Sequence, residues 1–186
     1  MSSLKTYIIC DHENEETVLQ ALLRGIEKDD IIRVFPSPCD TSKIFNMYDP
    51  YLDRGVIPLF SSNILTLEEI SMVMRYYTIF QQVAESSADD LSPILVLEPN
   101  VILHRDFLPN VRKIMEDEVW DCVRLMCSEN NRSIPCTGAI LFRTKFIRNA
   151  VKTFLPFRES IDSELYFQTV LHKANVLVCN PSIAYR

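Results

Sequence analysis

One run, residues 92–108 (SPILVLEPNVILHRDFL), constrains the fold more than any other part of this chain. Its apolar stretch 94–97 is short, uninterrupted and β-rich, and it ends at a single carboxylate, Glu98. Pro99 and Asn100 follow as a turn, and a second apolar step, 101–103, leads to a charged exit. A buried strand that delivers an acid to its C-terminal edge and then turns sharply is how open α/β sheets present ligands to a crevice. The expectation is therefore a sheet with Glu98 at its functional edge.

The rest of the chain alternates in the way such a sheet requires. Residues 7–10 and 31–35 read as strands around a helix at 15–25. In that helix Val18, Leu19, Leu22, Leu23 and Ile26 form one apolar stripe, and Gly25 is the stop. Two strands about one helix suggest a βαβ unit. Residues 65–85 form the best-defined helix. Thr66 and Glu69 stand as a capping box, and Leu65 and Ile70 as a hydrophobic staple. Ile70, Val73, Met74, Tyr77 and Phe80 recur at helical spacing, which reads as core rather than a cofactor site. Helices are expected over 107–118, 144–154 and 162–174, and strands over 121–126, 138–142 and 176–179. In the helix 144–154, Phe146, Ile147, Ala150 and Val151 should face inward. The 186 residues are most simply one α/β domain spanning 1–186, long enough to bury a sizeable core.

Segment 36–63 interrupts the alternation. Pro36, Pro38, Pro50 and Pro58 are interleaved with Phe45, Tyr48, Tyr51 and Phe60. It reads either as a lid or binding loop, or as a surface loop anchored by its aromatics.

Composition removes several function classes. The net charge of −6 argues against a nucleic-acid binder, which needs a basic face to neutralise phosphates. The three glycines, Gly25, Gly55 and Gly138, cannot build a P-loop or a dinucleotide fingerprint. The three histidines, His12, His104 and His172, lie at no zinc spacing, and there is no G-x-S-x-G elbow. The six cysteines form no C-x-x-C pair and read as reduced core thiols. The N-terminal residues lack the pattern of a signal peptide, and no apolar segment approaches the ~20 residues of a membrane span. A cytoplasmic chain is expected.

Besides Glu98, one acidic segment could carry chemistry: 159–164, with Asp162 and Glu164. These acids either stabilise the N-terminus of the helix that follows or form a carboxylate pair facing the same crevice as Glu98. Such a pair could hold a divalent cation or serve as a general base.

The order of these segments resembles glycosyltransferase family 25, the lipopolysaccharide-type and procollagen galactosyltransferases. The family's L-T-x-x-E-I helix opening reads Leu65-Thr66-Leu67-Glu68-Glu69-Ile70 here. Its V-L-E-D-D-V-x-L strand reads Val96-Leu97-Glu98-Pro99-Asn100-Val101-Ile102-Leu103. Trp120-Asp121, Thr137-Gly138-Ala139-Ile140-Leu141, Ile161-Asp162-Ser163-Glu164 and Pro181-Ser182-Ile183 follow in the family's order. The likeness covers roughly residues 60–186 and is weaker before them. It implies a GT-A fold, a nucleotide-sugar donor at the C-terminal strand edge, and transfer of a sugar to a hydroxyl of a glycan or protein acceptor. It also implies Mn²⁺ or Mg²⁺ at the acidic motif, placing Glu98 and Asn100 as metal ligands and Arg75, Glu98 and Asn100 around the donor. Asp162, with Glu164 beside it, stands as catalytic base. The motif is degenerate, because E-D-D has become Glu98-Pro99-Asn100 and the family's helix histidine is Tyr76. Three readings stay open. The chain is an active transferase in which Arg75 or Arg105 replaces the ion, a relative that keeps the fold as a binding or scaffolding module, or an unrelated α/β domain in which Glu98 caps a turn.

Overall fold

The computed structural model describes residues 4–11, 16–35, 65–117, 119–126, 137–157 and 159–185. The strands are β1 (Lys5–Ile9), β2 (Ile31–Val34), β3 (Pro93–Leu97), β4 (Ile102–Leu103), β5 (Cys122–Arg124), β6 (Ala139–Arg143), β7 (Val176–Val178) and β8 (Ala184–Tyr185). The helices are α1 (Glu16–Leu23), α2 (Leu67–Glu85), α3 (Phe107–Met115), α4 (Thr144–Ala150) and α5 (Ile161–Leu171). The expected lid or packed loop at 36–63 lies outside the described residues, as does the polar loop 127–136.

Every residue of β3 is buried, so the strand must be covered on both faces. Side chains alternate across a strand. Ile94 and Val96 accordingly enter one core, and Leu95 and Leu97 the other. On the first face lie α2, α4 and α5, through residues such as Val73, Phe80, Ile147 and Leu165. On the second lie α1 and α3, through Val18, Ala21, Phe107 and Val111. The fold is thus α/β, with a six-stranded sheet in the order β2-β1-β3-β6-β5-β7 and helices on both faces. Pairing is parallel for β1 with β2, β1 with β3, and β5 with β7. Strand β6 runs antiparallel to both its neighbours. Between β4 and β8 runs a separate two-stranded antiparallel ladder that the sequence pattern does not announce.

The capping box forms as expected. The Glu69 backbone N–H donates to Thr66 Oγ1 (3.2 Å), and Glu69 Oε2 accepts from the Thr66 N–H (2.7 Å). Gly25 ends α1 with φ +88°, a left-handed conformation open to glycine. The Ile26 N–H reaches back to Ala21 O (3.1 Å) and the Gly25 N–H to Leu22 O (3.0 Å), which satisfies carbonyls at the helix end.

The α1 stripe is rotated from the expected one, whereas the α2 stripe keeps Ile70, Val73, Met74 and Phe80 and departs only at Tyr77. In α1 the buried residues are Thr17, Val18 and Ala21, and Ile26 beyond the helix, whereas Leu19 (56% exposed), Leu22 (39%) and Leu23 (67%) face outward. Ala21 is small and fully buried, so the helix seats its backbone close to the sheet on that line and turns the leucines away. In α2 the buried set includes Tyr76, Ile79 and Val83. Tyr77 is half-buried and stacked on Phe154, with ring centroids 6.1 Å apart. Cys10 and Cys122 are buried thiols, as the core reading expected, whereas Cys179 is half-buried, and Cys39, Cys127 and Cys136 lie outside the described residues. Burial pushes the Cys122 thiol up to about 12, which keeps it protonated at neutral pH.

Candidate functional site

Strands β1 and β3 are parallel neighbours, with Ile8 opposite Leu97, so their C-terminal ends open at the same edge. From β1 the chain passes to β2 through α1 on one face, whereas α2, which precedes β3, lies on the other. The crevice outside two such strand ends, where the winding changes face, is where open α/β sheets bind ligands. Cys10 and Asp11 stand at its β1 side and Glu98 at its β3 side.

Glu98 reaches that edge, but it is only 3% exposed. Its backbone N–H donates to Gly138 O (2.8 Å), tying it to the start of β6. Its carboxylate accepts from Tyr76, whose hydroxyl lies 2.9 Å from Glu98 Oε1 and 3.2 Å from Thr137 O. Tyr76 itself is fully buried. The phenol therefore joins α2, the end of β3 and the approach to β6 in one polar contact inside the core. Burying a carboxylate requires such donors. Tyr76→Phe is expected to lower stability by about 1–3 kcal/mol, because the carboxylate loses a donor where water cannot replace it. Urea unfolding of the two forms measures this, and equal stabilities would refute the role.

Arg75 is the neighbouring residue on α2, with a side chain only 12% exposed. Its Nη1 donates to Asp11 Oδ1 (2.8 Å) and lies 3.5 Å from Cys10 O, and its Nη2 donates to Ser71 Oγ (3.3 Å). The guanidinium is thereby fixed at the end of β1, and Asp11, 52% exposed, is its counter-ion. A guanidinium offers a planar fork that matches phosphate oxygens. Asn100 is exposed and adopts φ +62°, a left-handed turn conformation that asparagine tolerates.

Asp162 and Glu164 lie in the first turn of α5, which packs against the α2 face through Ile161 and Leu165. Asp162 is half-buried. Glu164 is 3% exposed, and its Oε1 accepts the Glu159 N–H (3.2 Å), bracing the turn that enters the helix. Arg105 lies on the turn after β4. Its side chain is 84% exposed, and its Nε pairs with Asp106 at 3.3 Å.

The structure thus brings Arg75 and Glu98 to the ends of adjacent strands, each with a partner that sequence reasoning did not assign. The signal for the Tyr76 contact was available. A tyrosine inside an otherwise apolar helical stripe needs a buried acceptor for its hydroxyl. Nothing local pointed to Asp11.

A divalent cation takes about six oxygen ligands, with one or two carboxylates beside substrate phosphates and waters. Here the one carboxylate is buried and already hydrogen-bonded to a phenol, and its companion Asn100 is an exposed amide. Among the described residues no group of three His, Cys, Asp or Glu side chains is placed to hold a metal ion. Toward a cation at Glu98 the described residues thus offer one buried carboxylate and one exposed amide. No helix among them is long and apolar enough to cross a membrane.

No family model matches this sequence, and no curated protein matches it. Among solved structures, the chain is similar to the apo crystal structure of mouse xyloside xylosyltransferase 1. The identity is 10% and the TM-score 0.42, and the match covers 93% of this chain and 70% of that one.

Proposed function

We propose that this chain is a glycosyltransferase that takes a sugar from a nucleotide-sugar bound in the crevice between the ends of β1 and β3. The observation that carries the reading is Arg75, a guanidinium fixed at the end of β1 where the sheet's winding reverses. The order of motifs shared with glycosyltransferase family 25 supports it. In this reading Arg75 exchanges Asp11 for the donor diphosphate and takes the place of a divalent ion. Asp162 accepts the proton of the acceptor hydroxyl as its oxygen attacks the anomeric carbon. The nucleotide diphosphate leaves with the electron pair of the broken C–O bond, and Arg75 offsets its charge. Glu164 holds the turn that carries Asp162. The acceptor is a hydroxyl of a glycan or a protein, and the chain works in the cytoplasm.

Thermal unfolding against a panel of nucleotide-sugars, with and without Mn²⁺, tests the donor site. Ligand at ~100 times its dissociation constant adds about 2.7 kcal/mol, an upward shift of several degrees for a domain of this size. Arg75→Ala should erase that shift, and Mn²⁺ should not change it. A panel with no shift would refute the donor site. A Mn²⁺-dependent shift would refute the metal-free form of it.

One observation favours a second reading. The Tyr76–Glu98 contact seals the motif's remaining carboxylate inside the core, as a fold retained for binding or scaffolding would have it. In that case nucleotide-sugars bind without turnover, or not at all.

A further inference from the structure

A second cleft, of about 370 Å³, lies on the α3 side of the molecule, beyond the C-terminal end of β7. That volume falls in the range of small-molecule sites, about 300–1,000 Å³. Asn110 and Lys113, one helical turn apart on α3, form one wall. His104, Asn180, Ser182 and Ile183 also line it. The walls are held by main-chain bonds that do not depend on a ligand. The His104 N–H donates to Ile183 O (3.0 Å), the Cys179 N–H to Arg124 O (2.8 Å), and the Ile183 N–H to Leu125 O (3.0 Å).

The charge of this cleft departs from that of the chain. The protein carries a net charge of −6, yet no acid lines the cleft and Lys113 does. Among the described residues Lys113 is in no ion pair. Asp106, beside the cleft, pairs with Arg105 at 3.3 Å and lies 3.8 Å from His104 Nδ1 through the same Oδ2. The remaining groups offer a mixed set of hydrogen bonds. Asn110 Nδ2 donates one hydrogen to Asp106 O (2.8 Å), which fixes the amide with Oδ1 as an acceptor and one N–H still to give. His104 Nδ1 accepts the Asp106 N–H (3.3 Å), which leaves Nε2 as the protonated donor of the neutral ring. The Asn180 amide supplies both kinds of group. One cation beside alternating donors and acceptors matches a ligand with one oxyanion and several hydroxyls.

We infer that this cleft binds a small polyol bearing a single oxyanion, a phosphorylated or carboxylated monosaccharide, with Lys113 meeting the oxyanion. The inference stands apart from the donor site proposed above, since it shares no residue with it.

Isothermal titration of the full chain with glucose 6-phosphate, glucuronate, glucose and inorganic phosphate tests it. Saturable binding of glucose 6-phosphate or glucuronate is expected, and whichever binds identifies the oxyanion as phosphate or carboxylate. Lys113→Glu should weaken that binding more than about tenfold and lower the thermal midpoint only slightly, because Lys113 is exposed and, among the described residues, in no ion pair, so that only its favourable place at the C-terminal end of the α3 dipole is lost. Lys113→Arg should retain most of it. Arg75→Ala should leave it unchanged, so that loss of one site is not mistaken for loss of the other. The inference is overturned if neither glucose 6-phosphate nor glucuronate binds at about 10 mM, ten times a dissociation constant of about 1 mM. It is also overturned if Lys113→Glu binds as well as the parent, or if inorganic phosphate binds as tightly as glucose 6-phosphate.

Discussion

Phe80→Ala should remove about 3–5 kcal/mol of stability, a large part of the roughly 5–15 kcal/mol that holds a domain together. Phe80 is fully buried at the centre of the α2 face. Its ring meets Tyr76, Phe142 and Phe154 edge-on, at centroid distances of 6.3, 5.5 and 5.4 Å. It therefore joins the helix that carries Arg75 and Tyr76 to β6 and to the segment after α4. Truncation loses the transfer free energy of the ring and leaves a cavity that three flanking rings cannot close. Phe80→Leu refills most of that volume and should cost markedly less. Denaturant unfolding followed by the fluorescence of Trp120, the one tryptophan, gives both values. A loss below about 1 kcal/mol for the alanine form would contradict the packing described.

Asp162→Asn is expected to lower sugar transfer by about 10²–10⁴-fold, the usual contribution of a positioned general base. The thermal midpoint should hardly move. Asp162 lies in the first turn of α5, where a carboxylate gains about 0.3–1 kcal/mol from the helix dipole. The amide keeps the shape of the carboxylate and gives up its charge. Transfer of label from a radioactive nucleotide-sugar to acceptor, compared between the two forms, reads the first quantity, and a thermal melt reads the second. If the variant transfers sugar as fast as the parent, Asp162 is not the base. If the parent transfers nothing and the variant melts far lower, Asp162 is a structural residue of the helix start and the binding-module reading gains.

The parts of this protein legible in its sequence are those whose cause is local. The Thr66–Glu69 capping box closes within three residues, and Gly25 stops α1 because the left-handed position demands it. The apolar run of β3, buried on both faces, required a sheet covered by helices, and its last step put Glu98 at the edge. The α1 leucines were misread for a reason that is not local. Leu19, Leu22 and Leu23 lie next to the buried line, and only the seat offered by the sheet favours the small Ala21 over them. The β4–β8 ladder was missed because each strand is two residues long and pairs only across the fold.

The sequence by itself determined the alternation of strands and helices and the acid at the end of β3. Hydrophobic period and short-range hydrogen bonds suffice for these. Only the tertiary structure decided what those residues touch. Tyr76 meets Glu98 across 22 residues, and Arg75 meets Asp11 across 64. The Lys113 cleft needs α3 and the stretch after β7 side by side. Contacts of that span carry no periodic signature in a sequence. They exist because packing α2 and α3 against opposite faces of one sheet brings distant polar groups within hydrogen-bond reach.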